Sequence, residues 1–334
     1  MYKVLVTTVP FSETNQLPLE LLNSKDIKLT INPLNRKLTD QELSNMVSEF
    51  DILIAGTEPI NKLVLSEAKN LKLISRVGIG LDSVDLNEAK KRGIHVTYTP
   101  DAPAPAVAEL TFGLMLSLLR SIQEVNIIMK EGNWKRIFGR RLSEVTIGVI
   151  GAGRIGGRVL RRLAPFGTPR ILVNDIDTSL INKNIAPSLK LEWVDKKTIY
   201  ESSDLITIHV PKTSLTDSMI NKKELMLMKK DALLINTSRG GIINENDLLD
   251  VLKEGHLGGV ALDVFDQEPY KGPLSNFNRC ILTSHMGSMS FDCRQRMEIE
   301  AVDEVIRFIK NEPFNRPVPK DEYIIQMKNK EKQN

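Results

Sequence analysis

The sequence predicts an α/β protein made of two doubly wound parallel-sheet domains, and three observations predict it. Short β-branched or apolar runs alternate with longer helical stretches along most of the chain, the pattern of βα units wrapped around parallel sheets. The length of 334 residues corresponds to about two domains at ~100–200 residues each. A proline-rich connector, TPDAPAPAVAEL, separates a first series of alternations from a second.

In order, the first series offers strands at Val4–Thr8, Lys28–Ile31, Ile52–Ala55, Leu73–Arg76 and His95–Thr97, with helical stretches such as Asp40–Glu49 and Lys62–Ala68 between them. Three prolines then break regular structure and lead into a long helix over Val107–Glu131, apolar on most faces at its start. After a basic loop the second series begins, with strands at Thr146–Ile150, Arg170–Asp175, Leu205–Val210, Ala232–Asn236, Gly259–Asp263 and Arg279–Thr283. A last helix, Phe291–Asn311, stops near Pro313. The first domain is read as discontinuous, residues 1–100 completed by 290–334, with residues 101–289 inserted as the second domain.

Composition excludes several classes. The central uncharged run Leu110–Leu119 falls short of the ~20 residues that span a bilayer, and the N-terminus lacks the apolar region of a signal peptide. Two cysteines, Cys280 and Cys293, cannot form a disulfide framework or a four-ligand zinc site, so no metal is expected and a cytoplasmic setting fits. The balance of 45 basic and 42 acidic residues, a net +3, is too small to imply nucleic acid. The tail KNKEKQN reads as solvated and frayed.

The sharpest motif is Gly151-Ala152-Gly153-Arg154-Ile155-Gly156. It follows a strand and opens a helix, and Asp175 ends the next strand about 20 residues on, so it meets the contextual tests of a dinucleotide fingerprint. Gly151 allows the tight turn, Gly153 the approach of a pyrophosphate, and Gly156 close helix–strand packing. The helix N-terminus offers N–H groups to phosphates. Asp175 can accept both ribose hydroxyls and would repel a 2′-phosphate, which favours NAD over NADP.

Four histidines compete for acid–base work. His95 and His256 read as structural, the latter at a helix C-cap, and His209 ends a strand at the cofactor edge with a structural role favoured. His285 stands in a loop at a strand's carboxyl end, where open α/β sheets bind ligands. Arg239 in INTSRGG, and Asp263 and Glu268 in ALDVFDQEP, follow other strand ends, so parallel strands should bring these loops together. An Arg, a Glu and a His satisfy hydride transfer to or from a 2-hydroxy acid. Arg239 would hold the carboxylate and polarise the carbonyl, His285 would exchange the proton, and Glu268 would pair with the imidazole and raise its pKa.

These motifs, with RVGIGLDSVDL and APAVAEL in the first part, resemble the D-isomer-specific 2-hydroxyacid dehydrogenase family over nearly the whole chain. The resemblance implies a flavodoxin-like substrate domain and a Rossmann NAD-binding domain with an interdomain cleft, a homodimer or higher oligomer, and the triad Arg239, Glu268 and His285 without metal. The implied cofactor contacts are Gly151, Gly153, Arg154, Ile155, Gly156, Asp175, Val210, Pro211, Thr237, Ser238, Gly287, Ser288 and Ile79, with Asp263 meeting the nicotinamide carboxamide. Two positions depart from the pattern: Ser284 replaces the usual Pro before the His, and Glu144-Val145 a common Gly-Lys.

The Val77–Gly80 turn could bind a substrate carboxylate through backbone N–H groups. This run and MKEGNWKR are most similar to the 3-phosphoglycerate dehydrogenase branch of serine biosynthesis, which makes 3-phosphoglycerate and 3-phosphohydroxypyruvate the expected substrate pair. That branch implies substrate contacts from Arg76, Val77 and Gly78, and from Arg136 reaching across from a partner subunit. The bland alternative is that Arg76 caps a strand and Arg136, Arg140 and Arg141 form a solvated surface. The chain stops soon after its closing helix, so feedback through an added C-terminal domain is not expected. Glyoxylate, hydroxypyruvate or another 2-keto acid stay open as substrates, as does hydride transfer from formate or phosphite. An NAD-sensing corepressor of the same fold is the alternative from another class.

Overall fold

The computed structural model describes residues 1–167, 170–183 and 185–331. These form two compact units, Met1–Pro103 together with the chain from Met289 onward, and Ala104–Ser288.

The first unit runs β1 (Tyr2–Val6), α1 (Leu17–Leu22), β2 (Ile27–Ile31), α2 (Asp40–Met46), β3 (Ile52–Ala55), α3 (Lys62–Glu67), β4 (Leu73–Arg76), α4 (Leu86–Lys91) and β5 (His95–Thr97). Its sheet has the order β2-β1-β3-β4-β5, every pair parallel. The central strands read as unbroken apolar runs because helices cover both faces. Leu5, Leu53 and Ile74 enter one core, while Val4, Val6, Ile52, Ile54 and Leu73 enter the other. Polar side chains start the helices: Thr39 forms a capping box with Glu42, Asn61 caps α3, and Asp85 caps α4, each satisfying amides that the helix leaves orphaned.

The second unit holds α5 (Ala104–Leu119), α6 (Ile122–Lys130), β6 (Thr146–Ile150), α7 (Gly156–Leu163), β7 (Arg170–Asn174), β8 (Leu191–Trp193), α8 (Lys196–Ser202), β9 (Leu205–Ile208), α9 (Lys222–Leu227), β10 (Leu233–Asn236), α10 (Glu245–Lys253), β11 (Gly259–Leu262) and β12 (Cys280–Leu282). The seven strands lie parallel in the order β12-β11-β10-β9-β6-β7-β8. Strand order reverses between β6 and β9, so ligands of this unit belong at the carboxyl ends beside that switch. The chain then returns to the first unit through α11 (Phe291–Ile309) and α12 (Lys320–Glu331). On α11 the Ala301 carbonyl accepts the Ser75 hydroxyl of β4 at 2.8 Å, and Gln326 of α12 donates to Val84 O at 2.7 Å.

Three expectations need correction. The long helix over Val107–Glu131 is two helices, α5 and α6, bent by 65° where Ser121 adopts φ +49°. Apolar spacing continues across the break, so periodicity alone could not see it. The connector ends sooner than its prolines imply: α5 starts at Ala104, and Pro105 fits its first turn, where no amide hydrogen is needed. The tail KNKEKQN is also not frayed from its start. α12 carries the chain through Glu331, and residues 332–334 lie outside the described residues. No single helix among the described residues is long and apolar enough to cross a membrane.

Candidate active site

The glycine turn follows β6. Gly151 has φ +93°, and a side chain there would place Cβ 2.5 Å from His209 O. A Cβ on Gly156 would lie 1.9 Å from Gly151 O, so the first turn of α7 can form only against bare backbone. Among the described residues nothing lies within 4 Å of the Cβ that Gly153 lacks, so the turn presents open space at its middle glycine. Asp175 sits just past β7, its Oδ2 accepting Ala152 N at 2.7 Å and its Oδ1 accepting Asp177 N at 2.8 Å. Each oxygen keeps a further lone pair for a ribose hydroxyl. This cradle fits a dinucleotide: amides and open space for the pyrophosphate, a carboxylate for the ribose. Arg154 is exposed and Ile155 half-buried at the start of α7.

His209 and Val210 form the floor of that turn, since the missing Gly151 side chain would also meet Val210 at 3.0 Å. The His209 ring places Nε2 3.0 Å from Thr207 Oγ1, and burial pulls its pKa down to about 3. Pro211 O accepts the Thr216 hydroxyl at 2.6 Å.

After β10, Asn236 shapes the turn that carries Arg239. Its Oδ1 accepts both Ser238 N (3.0 Å) and Ser238 Oγ (2.7 Å), and its Nδ2 donates to Arg239 O (2.8 Å). Arg239 Nη1 donates to Ser238 O at 2.7 Å. The Thr237 hydroxyl meets that of Thr111, on α5, at 2.8 Å. A Cβ on Gly240 would lie 2.0 Å from Phe265 O, so the Arg239 turn nests directly on the loop that follows β11.

That loop carries Asp263 and Glu268. Asp263, 1% exposed, accepts Thr283 Oγ1 (2.6 Å), Met286 N (2.9 Å) and Gly287 N (2.8 Å), while its own carbonyl accepts His285 N (2.8 Å). The carboxylate expected to meet the nicotinamide is thus also the clamp of the His285 loop. His285 itself has φ +52°, a conformation that loop contacts must hold in place. Its Nδ1 lies 2.9 and 3.1 Å from the Glu268 oxygens, and Glu268 Oε1 also accepts Phe265 N at 3.2 Å. Ser288 closes this unit, half-buried, one residue after the clamp.

The residues expected at the substrate divide differently. Arg76 ends β4 in the first unit, 4% exposed, with Nη1 donating to Val77 O at 2.7 Å. Val77 N donates to Ala55 O at 2.8 Å and Gly78 N to Thr99 Oγ1 at 2.8 Å. The expected cradle of free amides therefore does not include these two, because neighbouring strands and Thr99 already use them. Ile79 is half-buried in the same unit. Of the basic cluster, Arg140 pairs with Asp204 and Arg141 with Glu144, whereas Arg136 is exposed. His95 packs against Phe308 and Phe314, and His256 places Nε2 2.9 Å from Met228 O, beyond the helix cap rather than on it.

Sequence reasoning missed Asn236, although an Asn two residues before a Ser at a strand end is a known turn-former. It also missed Thr111, which had no signal beyond its place in a helix.

A family description, D-isomer specific 2-hydroxyacid dehydrogenase, NAD binding domain, matches residues 112–287. The chain is 39% identical over 281 residues to a glyoxylate reductase of Thermofilum pendens, covering 82% of each. It is 37% identical to a D-3-phosphoglycerate dehydrogenase of Methanocaldococcus jannaschii, covering 82% of this chain and 53% of that one. Among solved structures, the D-lactate dehydrogenase of Aquifex aeolicus, complexed with NAD and lactic acid, superposes with a TM-score of 0.80 at 27% identity, covering 92% of this chain and 96% of the other. The chain belongs to the D-isomer-specific 2-hydroxyacid dehydrogenase family. Its cofactor is NAD, and it is an oxidoreductase.

Proposed function

We propose that the protein interconverts a small unphosphorylated 2-keto acid, glyoxylate or hydroxypyruvate, with its D-2-hydroxy acid. NAD, when bound, supplies or takes the hydride. In this reading Arg239 holds the substrate carboxylate and polarises the adjacent carbonyl, as a fixed cation with forked donors can. His285 gives the proton to the developing alkoxide during reduction and takes it back during oxidation. Glu268 holds Nδ1, which leaves Nε2 as the nitrogen for the substrate oxygen. The observation that carries the reading is the His285–Glu268 pair at 2.9 Å, beside a turn that delivers Arg239.

One observation favours an unphosphorylated substrate. Phosphate recognition needs cations that can reach the ligand, and Arg76 is buried with its guanidinium turned onto its own backbone. A second reading, 3-phosphohydroxypyruvate and serine biosynthesis, keeps one specific support in the exposed Arg136. We also infer a cytoplasmic homodimer or higher oligomer, in keeping with two buried, unpaired cysteines and the exposed apolar surface of α6 and the segment after it.

The test is an NADH-coupled panel of glyoxylate, hydroxypyruvate and 3-phosphohydroxypyruvate on the wild type, Arg76→Ala and Arg136→Ala. The expected result is a kcat/KM at least ~10-fold higher for the unphosphorylated acids, about 1.4 kcal/mol of transition-state preference, with Arg136→Ala leaving the order unchanged. Preference for the phosphorylated acid, lost selectively in either variant, would reverse the assignment. NADH binding without turnover of any acid would point instead to a sensor.

A further inference from the structure

Behind the His285–Glu268 pair stands a second carboxylate that the mechanism does not use. Glu245 is the first residue of α10, and its Oε1 accepts the backbone N–H of Asp266 at 2.7 Å. The adjacent amide, Phe265 N, donates to Glu268. The carbonyl of Phe265, on the same short stretch, is what Gly240 packs against. The two peptides that meet at Phe265 are therefore held together: Glu245 accepts the N–H of the Phe265–Asp266 peptide, whose carbonyl the Arg239 turn packs against, and Glu268 accepts the N–H of the Val264–Phe265 peptide.

From this arrangement, and resting on the reading of the site above, we propose that Glu245 is a positioning residue for the acid–base pair. It fixes the backbone at Phe265, which sets the spacing of Glu268 and Arg239.

The role is mechanical. Misplacement by about 1 Å of a group at a reacting centre costs on the order of 100-fold in rate, and a loop without its anchoring acceptor is free to make such a shift. The charges around Glu245 bear on its own ionisation. Asp266 and Glu268 face Glu245 from the loop after β11, and Tyr270 stands on that same loop. From the loop after β9, Lys212 and Asp217 face Asp266. Asp247, on α10 itself, is taken up by Lys222 N at 2.9 Å. Burial, and then the like charges of Asp266 and Glu268, push Glu245 above the ordinary carboxylate range, against the Asp266 hydrogen bond that lowers it. Lys212 is the cation that offsets this acidic group, paired with Asp217 at 3.3 Å.

The experiment measures glyoxylate reduction by NADH in Glu245→Ala and Glu245→Gln, with NADH affinity measured separately by fluorescence. In Glu245→Ala, kcat should fall ~10-fold or more, with the Kd for NADH within about twofold of wild type. In Glu245→Gln the amide oxygen still accepts Asp266 N–H, so most of kcat should return. Wild-type kcat in Glu245→Ala, or equal impairment of both variants, would overturn the proposal. If Glu245→Ala does not fold, Glu245→Asp replaces it: its carboxylate is one methylene too short for Asp266 N–H, so wild-type kcat rejects the proposal and a ~10-fold fall supports it. His285→Asn, assayed beside them, separates the two readings. Turnover that survives His285→Asn brings down the site assignment and this proposal together. A dead His285→Asn with an unimpaired Glu245→Ala brings down only the proposal.

Discussion

His209 shows how a single side chain in this site is tuned by its surroundings rather than by a partner charge. Its backbone supports the glycine turn, its Nε2 meets the Thr207 hydroxyl, and its buried Nδ1 has no hydrogen-bond partner among the described residues. Burial holds the folded-state pKa near 3, against ~6.5 for the unfolded chain. Below ~6.5 the unfolded state takes up a proton that the folded state refuses, so this residue makes the protein less stable as pH falls from there toward 3. His209→Gln keeps a polar contact for Thr207 and removes the titration. Urea unfolding between pH 3.5 and 7.5 should show a flatter acid flank in the variant, and parallel flanks would contradict this account. At this scale the chemistry was legible wherever it dictates residue identity. A cation for a carboxylate, an imidazole for a proton and glycines for a close approach leave few substitutes, so Arg239, His285, Gly151 and Gly156 could be named from the sequence. Asn236 and Glu245 could not, because an Asn in a turn or a Glu at a helix start usually does no more than cap.

Among the elements, the strands and the helices α2, α3 and α11 were readable, and the extent of the helix after the connector was not. Parallel strands covered on both faces are nearly pure apolar runs, which is why β3, β4, β6, β9 and β10 stand close to their expected limits. β8 escaped notice because its three residues, Leu191–Trp193, are only half-buried at the sheet edge. The α5–α6 bend escaped because one left-handed residue, Ser121, turns the chain without interrupting apolar spacing. The junction of β6 and α7 gives the clearest test at this level. Gly156→Ala would drive a methyl group to 1.9 Å from the Gly151 carbonyl, so the turn must open or α7 must shift. Loss of NADH affinity by at least ~10-fold, or about 1.4 kcal/mol, is the expected result in a fluorescence titration. Unchanged affinity would mean that the cradle tolerates the opening.

For the molecule as a whole, one stretch of surface stands apart. No residue of α6 is buried, Ile122 and Met129 are exposed on it, and Trp134 and Phe138 beyond it are almost wholly in solvent. Apolar area of this kind costs free energy in water, at about 25 cal/mol per Å², and a self-complementary contact would relieve it. The expectation is a dimer or larger assembly by light scattering, and a shift toward monomer on replacing Trp134 and Phe138 together with serine. A wild type that stays monomeric at 50 μM or more would exclude this role for the surface.

The return of α11 to the first sheet also orders events during synthesis. β3 and β4 leave the ribosome long before the helix that covers them, because the entire inserted unit must be translated in between. Until then the face lined by Val4, Val6, Ile52, Ile54 and Leu73 lacks its cover, while residues 104–288 already hold all their own strands. The nascent chain thus acquires its nucleotide-binding half first and carries a sticky, unfinished half behind it. Its exposure to aggregation lasts for as long as residues 104–288 are being synthesised.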